Sequence, residues 1–236
     1  MGLGAVALAT ERAMIRMTTS RWFLRVMYYL WVVFPYPLRK PLTAAVILGV
    51  LGAKVVTGVN RRRGLTPPRQ LGSLSFWGIP QVSLDEYELV VTGMVESPGK
   101  YTFKELQSLP ALEGQVRMDC VGGYRNNTVM KGVSLSTILD LVGARPEAET
   151  IVFHCADGYH TTHTVKDLLS SGAFLAYEVN GKREDRFGFP LRLAAPGTYG
   201  YKLAKWLVRL ELVDGFPKGH WEQIGLPKRG KVGDIW

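Results

Sequence analysis

The chain has 236 residues, 47% of them hydrophobic and 21% charged, with a formal net charge of +9. That length suits one substantial domain with a short extra segment, and the balance excludes a disordered or low-complexity protein. Two cysteines, Cys120 and Cys155, are too few for a disulfide framework, and by residue type alone both read as buried free thiols.

The basic excess is concentrated at the start. Residues 1–70 hold Arg12, Arg16, Arg21, Arg25, Arg39, Lys40, Lys54, Arg61, Arg62, Arg63 and Arg69 against a single acid, Glu11. Such a cluster suits nucleic acid or an anionic membrane surface. Here it flanks two apolar runs, Trp22–Leu38 and Leu42–Val59, and no base-stacking motif accompanies it, so the reading is a membrane anchor and not a nucleic-acid surface. Residues 1–60 are therefore expected to supply one or two membrane helices, with Lys54 snorkelling to the interface. Thr19-Ser-Arg-Trp-Phe-Leu-Arg25 resembles a twin-arginine export signal lacking its first arginine, which leans the large domain toward the outer face of the cell membrane. Residues 61–81, with Pro67, Pro68 and Pro80, read as a linker, and residues 82–236 as the folded domain.

Within that domain Glu86–Thr92 reads as a strand. Thr102-Phe-Lys-Glu105 is a capping box that opens a short helix ending before Pro110. Gln115–Cys120 reads as a strand, and Ser134–Val142 as a helix with Leu135, Ile138, Leu139 and Val142 on one face and Gly143 as its stop. Further strands are expected at Thr150–Cys155, Phe174–Val179, Leu191–Ala195 and Lys205–Leu212, a helix at Val165–Ser170, and a tight turn at Asn180-Gly181. Strands and short helices mix without regular alternation, which predicts an α+β domain with a mixed or antiparallel sheet. His154, His160 and His163 with Asp157 match no strong zinc spacing and read as a turn-rich surface loop.

The ordered set Leu89-Val-Val-Thr-Gly-Met-Val-Glu-Ser-Pro-Gly99, Cys120-Val, Lys131-Gly-Val-Ser-Leu135, Ala156-Asp-Gly-Tyr159, Gly188-Phe-Pro-Leu-Arg192, Pro196-Gly-Thr-Tyr-Gly200 and Lys205-Trp206 spans residues 82–214. It resembles the molybdopterin-binding domain of the sulfite oxidase superfamily, especially its small bacterial and archaeal oxidoreductases. The resemblance implies a sulfite-oxidase-type fold holding a molybdenum–molybdopterin cofactor. It makes Cys120 the thiolate ligand of the metal, a role that suits a soft sulfur donor. Arg192, Lys202 and Lys205, with backbone approach at Gly197 and Gly200, become the holders of the cofactor phosphate. Cys155 stands where reductase-like members carry a pterin-contacting threonine. Tyr124 and Tyr159 become candidate donors to a metal-bound oxygen, and Arg125 a candidate contact for an anionic substrate or an ordinary surface arginine.

Three departures stand out. Phe187 replaces a polar residue, Met130 replaces a tryptophan, and the upstream contacts of the reductase-like members have no counterpart near Ser75-Phe-Trp-Gly78. The C-terminal dimerisation domain of sulfite oxidases and a haem-domain signature are not expected. The function implied is a membrane-anchored oxidoreductase that acts on a small-molecule substrate and exchanges electrons with a membrane cytochrome or respiratory complex. The rival reading is a structural subunit of a respiratory or photosynthetic assembly that keeps the fold without the chemistry.

Overall fold

A computed structural model of the chain describes residues 20–57, 64–75 and 77–234. The first 19 residues lie outside it, and with them the opening of the export-like segment and several of the N-terminal arginines. So do residues 58–63, which hold Arg61–Arg63.

Two sheets form the domain. The first has five strands in the order β2 (Gly99–Thr102), β1 (Glu88–Gly93), β9 (Leu207–Val213), β5 (Thr150–Cys155) and β6 (His160–Thr164). Its β1–β9 pair is parallel and the others antiparallel, so the sheet is mixed. The second sheet is antiparallel and runs β3 (Ala111–Asp119), β4 (Arg125–Ser134), β7 (Phe174–Val179), β8 (Arg192–Ala194). Three short helices belong to the domain: α3 (Phe103–Ser108), α4 (Leu135–Val142) and α5 (Val165–Ser170). The α+β architecture with a mixed sheet is the one expected.

Local chemistry accounts for most boundaries. Thr102 Oγ1 accepts the Glu105 N–H at 3.3 Å while the Glu105 carboxylate accepts the Thr102 N–H at 2.8 Å, so the capping box is complete. Helix α4 stops at Gly143, whose φ of 60° and N–H bonds to the Asp140 and Leu139 carbonyls suit a residue without a Cβ. Leu135, Ile138, Leu139 and Val142 are all buried. They share one core cluster with Leu89 and Val91 of β1, Ile151 and Phe153 of β5, and Leu210 and Leu212 of β9. Asn180 and Gly181 both adopt positive φ, as a tight strand-reversing turn requires, and the Asn180 amide oxygen accepts the Val129 N–H at 2.9 Å.

Three strands run where none was expected. β2 is a short edge strand. β4 opens on Arg125-Asn-Asn-Thr128, a polar run whose side chains bond to other segments instead of facing water. β6 carries His160 and His163, so this stretch is not the surface loop expected; His163 is buried and its Nε2 lies 2.8 Å from the Lys202 carbonyl oxygen.

The N-terminal segment also differs from expectation. Helices α1 (Arg21–Val33) and α2 (Tyr36–Thr57) form a hairpin that turns at Phe34-Pro35 and is pinned by Trp31 Nε1 donating to Thr43 Oγ1 at 2.9 Å. α2 has 22 residues, but among the described residues no helix is long and apolar enough to cross a membrane. Its inner face is covered: Thr43, Ala44, Ile47 and Lys54 recur at helical spacing and are buried. Lys54 does not snorkel. It is 1% exposed, with Nζ 3.3 Å from Asp119 Oδ1. Residues 64–75, expected as a linker, are a strap bonded to the second sheet. The Asn126 side chain pairs with both backbone groups of Gly72 at 2.6 and 3.1 Å, and the Thr66 hydroxyl accepts the Asn127 N–H at 2.8 Å.

Ile138 is fully buried in the main cluster. Ile138→Ala is expected to cost about 2–5 kcal/mol, against about 1 kcal/mol for loss of the exposed cap in Thr102→Ala; chemical denaturation of the two variants checks the order.

Candidate cofactor site

Between the second sheet, the strap and the residues after β8 lies a cavity of about 400 Å³. Its wall carries Cys120, Tyr124, Gly200, Arg192 and Lys205 of the residues singled out in the sequence, together with Tyr159. Lys202, Cys155 and Arg125 are not among the lining residues.

Cys120 follows β3 directly and sits in a turn closed by its own N–H to the Tyr124 carbonyl at 2.9 Å and by Gly123 N–H to the Cys120 carbonyl at 3.1 Å. The turn brings the Gly122 N–H to 3.2 Å from Sγ. Burial pushes the Cys120 thiol upward from its ordinary range. The Gly122 N–H, the Lys54 ammonium and the Tyr124 hydroxyl pull the other way, and the Asp119 charge adds to the upward push. Those three groups favour a thiolate, the form a soft metal takes. Gly200 packs closely on the same strand end: a Cβ there would lie 2.7 Å from Met118 Sδ, so that flexible side chain would have to shift.

The other end of the cavity is cationic. Arg192 is buried; NH1 donates to the Phe187 carbonyl at 2.8 Å, while Nε is buried with no hydrogen-bond partner among the described residues. Burial lowers Arg192 to about 10. Lys205 Nζ donates to Ser73 Oγ at 2.9 Å and the Leu74 carbonyl at 2.6 Å on the strap, and stands 4.2 Å from the centre of the Trp206 ring. Burial and then the neighbouring Arg192 charge lower Lys205 to about 7. Asp157 is the one carboxylate on the wall among the described residues, and burial raises its own pKa.

The remaining sequence candidates are occupied elsewhere. Lys202 is fully buried, with Nζ 2.5 Å from Glu222 Oε1 and bonded to the Thr162 and Lys228 carbonyls, so it ties the C-terminal segment to β6. Arg125 is bidentate on Asp119 at 2.9 and 3.0 Å. Cys155 is buried and its thiol is pushed far up by desolvation first and by the Asp157 charge next. Tyr159 spends its hydroxyl proton on the Tyr201 carbonyl. Phe187 and Met130, the two departures, both lie on the cavity wall and make that end more apolar. Asp119, Trp77 and Trp221 were not singled out by the sequence. Asp119 adjoins Cys120 but has no role of its own in the strand expected at Gln115–Cys120, and the two tryptophans reach the wall from segments without regular secondary structure.

A single thiol, a backbone turn around it, and two desolvated cations with an unpartnered guanidinium nitrogen fit a phosphorylated organic ligand that carries a soft metal. Comparison with known proteins gives the same class. Residues 76–221 match the family described as "Oxidoreductase molybdopterin binding domain". The chain is 31% identical over 188 residues to the "Uncharacterized oxidoreductase YuiH" of Bacillus subtilis, covering 76% of this chain and 93% of that protein. It is 32% identical over 148 residues to the "Putative protein-methionine-sulfoxide reductase subunit YedZ1" of Azospira oryzae, covering 62% and 56%. The sulfane dehydrogenase SoxCD of Paracoccus pantotrophus shares the fold, with a TM-score of 0.60 at 23% identity over 66% of this chain and 46% of that one. The chain thus spans about half the length of the Azospira protein and nearly all of the Bacillus one.

The chain belongs to the molybdopterin-binding oxidoreductases of the sulfite oxidase type. Membership brings the molybdenum–molybdopterin cofactor with it.

The charge state of Lys205 gives a test. In the cofactor-free protein this amine is half-deprotonated near pH 7, and a bound phosphate would return it to the charged form. Pterin-phosphate binding is therefore expected to take up a proton above about pH 7 and to weaken there by up to about tenfold per pH unit. Lys205→Met is expected to bind more weakly with the pH dependence flattened; titration calorimetry in buffers of different ionisation enthalpy measures both.

Proposed function

We propose that this chain is the catalytic unit of a membrane-associated molybdenum oxidoreductase that transfers an oxygen atom or an electron pair to or from a small substrate. One observation carries the reading: Cys120 shares a cavity wall with Arg192 and Lys205. When bound, the cofactor supplies a two-electron metal centre. Cys120 is its protein thiolate ligand, oriented by the Gly122 N–H. Arg192 and Lys205 grip the phosphate, and Gly200 lets the chain approach closely. Trp77, Tyr159, Trp221 and Leu226 add largely apolar surface to the same wall, which suits contact with a small substrate. Cys120→Ser is expected to lower turnover by more than the roughly 10–100-fold typical of losing an outer-shell partner, with an unchanged unfolding transition. Turnover at the parent rate would refute the ligand role, and a parent protein without redox activity in any donor–acceptor pair would favour the structural-subunit reading.

The membrane reading is that the α1–α2 hairpin lies in the headgroup region instead of spanning it. Its support is an outward apolar face, with Trp22, Tyr29, Leu30, Val33, Leu38, Leu48 and Val55 exposed beside the basic Arg25 and Lys40. An amphipathic helix of this kind binds anionic lipid through apolar burial and charge together. That placement suits electron exchange with a membrane cytochrome or respiratory subunit, with the domain on the outer face. Val33 is 81% exposed. Val33→Glu is expected to weaken sedimentation with anionic vesicles by about tenfold, the equivalent of roughly 1.4 kcal/mol of lost burial, and to leave the unfolding temperature where it was.

A further inference from the structure

We propose that helix α2 is part of the active site, with Lys54 as a positioning residue that fixes the Cys120 turn through Asp119. The assignment rests on the reading of Cys120 as the metal ligand. Two independent sets of contacts hold the helix over the cavity. Near its start, Arg39 NH1 donates to the Gln223 carbonyl at 3.1 Å and Thr43 Oγ1 to the Ile224 carbonyl at 3.2 Å. Near its end, buried Lys54 meets Asp119. Between these anchor points Val46 and Val50 line the same cavity as Cys120. Their spacing with Lys54, four residues apart at each step, puts all three on one helix face.

The Lys54 contact reaches the chemistry through one residue. Asp119 Oδ1 takes Lys54 Nζ at 3.3 Å and Arg125 Nε at 2.9 Å, and Oδ2 takes Arg125 NH2 at 3.0 Å. Asp119 ends β3 and is bonded covalently to Cys120, and its backbone bridges to Tyr199 across the loop that brings Gly200 to the cavity. Asp119 thus ties helix α2 and the start of β4 to the residue next to the thiol. A buried pair loses several kcal/mol when one member is removed, so the helix cannot leave without disturbing the turn that presents the sulfur. The segment that meets the membrane and the segment that roofs the metal are then one helix, and a membrane partner that moves the hairpin changes access to Cys120.

The test uses the full chain, cofactor-free, with Cys155 replaced by alanine so that one thiol is read. Lys54→Met is expected to speed maleimide labelling of Cys120 by about tenfold or more, and Lys54→Arg to restore a rate near that of the parent. In cofactor-loaded protein, Lys54→Met is expected to shift the electron paramagnetic resonance spectrum of the half-reduced metal, again with recovery in Lys54→Arg. A Lys54→Met protein with the parent's labelling rate and spectrum overturns the assignment. If Lys54→Met does not fold, Val50→Trp takes its place: the larger ring on the wall of the cavity that holds Cys120 is expected to slow Cys120 labelling, and an unchanged rate overturns the assignment. Because labelling needs no cofactor, an effect on labelling in a chain that binds no molybdenum would sink the ligand role of Cys120 and leave the docking of α2 standing.

Discussion

Arg192 and Lys205 face a mostly apolar cavity; Arg192 is buried, and the Lys205 ammonium lies against the strap at residues 64–75 and the Trp206 ring. Taking two like charges out of water costs several kcal/mol each unless opposite charge is supplied, and among the described residues of the cavity wall Asp157 alone offers any. Both groups are accordingly pushed toward their neutral forms, Lys205 to about 7. A site that tolerates this cost is built for an anion. The phosphate of a pterin cofactor relieves the repulsion, engages the unpartnered Arg192 Nε, and places the rest of the ligand toward Cys120.

Asp119 plays the complementary part at the metal end. It collects Arg125 and Lys54 on one buried carboxylate, adjoins the cysteine, and so converts helix docking into geometry at the sulfur. This explains why Arg125, attractive in sequence as a substrate contact, faces inward: its fork matches the carboxylate in bidentate geometry. With Arg125 and Lys202 both internally paired, Arg192 and Lys205 carry the positive charge of the cavity wall among the described residues, and the rest of that wall is largely aromatic and aliphatic.

The domain was largely legible because its short-range signals are strong. The Thr102–Glu105 box, the Leu135–Val142 face with Gly143, and the Asn180-Gly181 turn each carry their structure within ten residues. β4 was not legible, because Asn126 and Asn127 look like a loop until the strap that uses their amides is known. Lys54 misled for the same reason: its partner is 65 residues away, and a lone lysine late in an apolar helix otherwise reads as a membrane-interface residue. Lys202 and Lys205 are chemically identical and three residues apart, yet one is taken by Glu222 and the other lines the cavity. The order of motifs identified the cofactor class, whereas only tertiary structure separates the residues that face the cavity from those that hold the walls.

The most direct test of the central claim is elemental analysis of the purified full chain, combined with the fluorescence of pterin released on acid treatment, for the parent and for an Arg192→Met, Lys205→Met double variant. The account predicts molybdenum and pterin near one per parent chain and little of either in the variant. Cofactor retained at the parent level without these two cations would contradict it, as would a parent chain without molybdenum from a host that makes the cofactor.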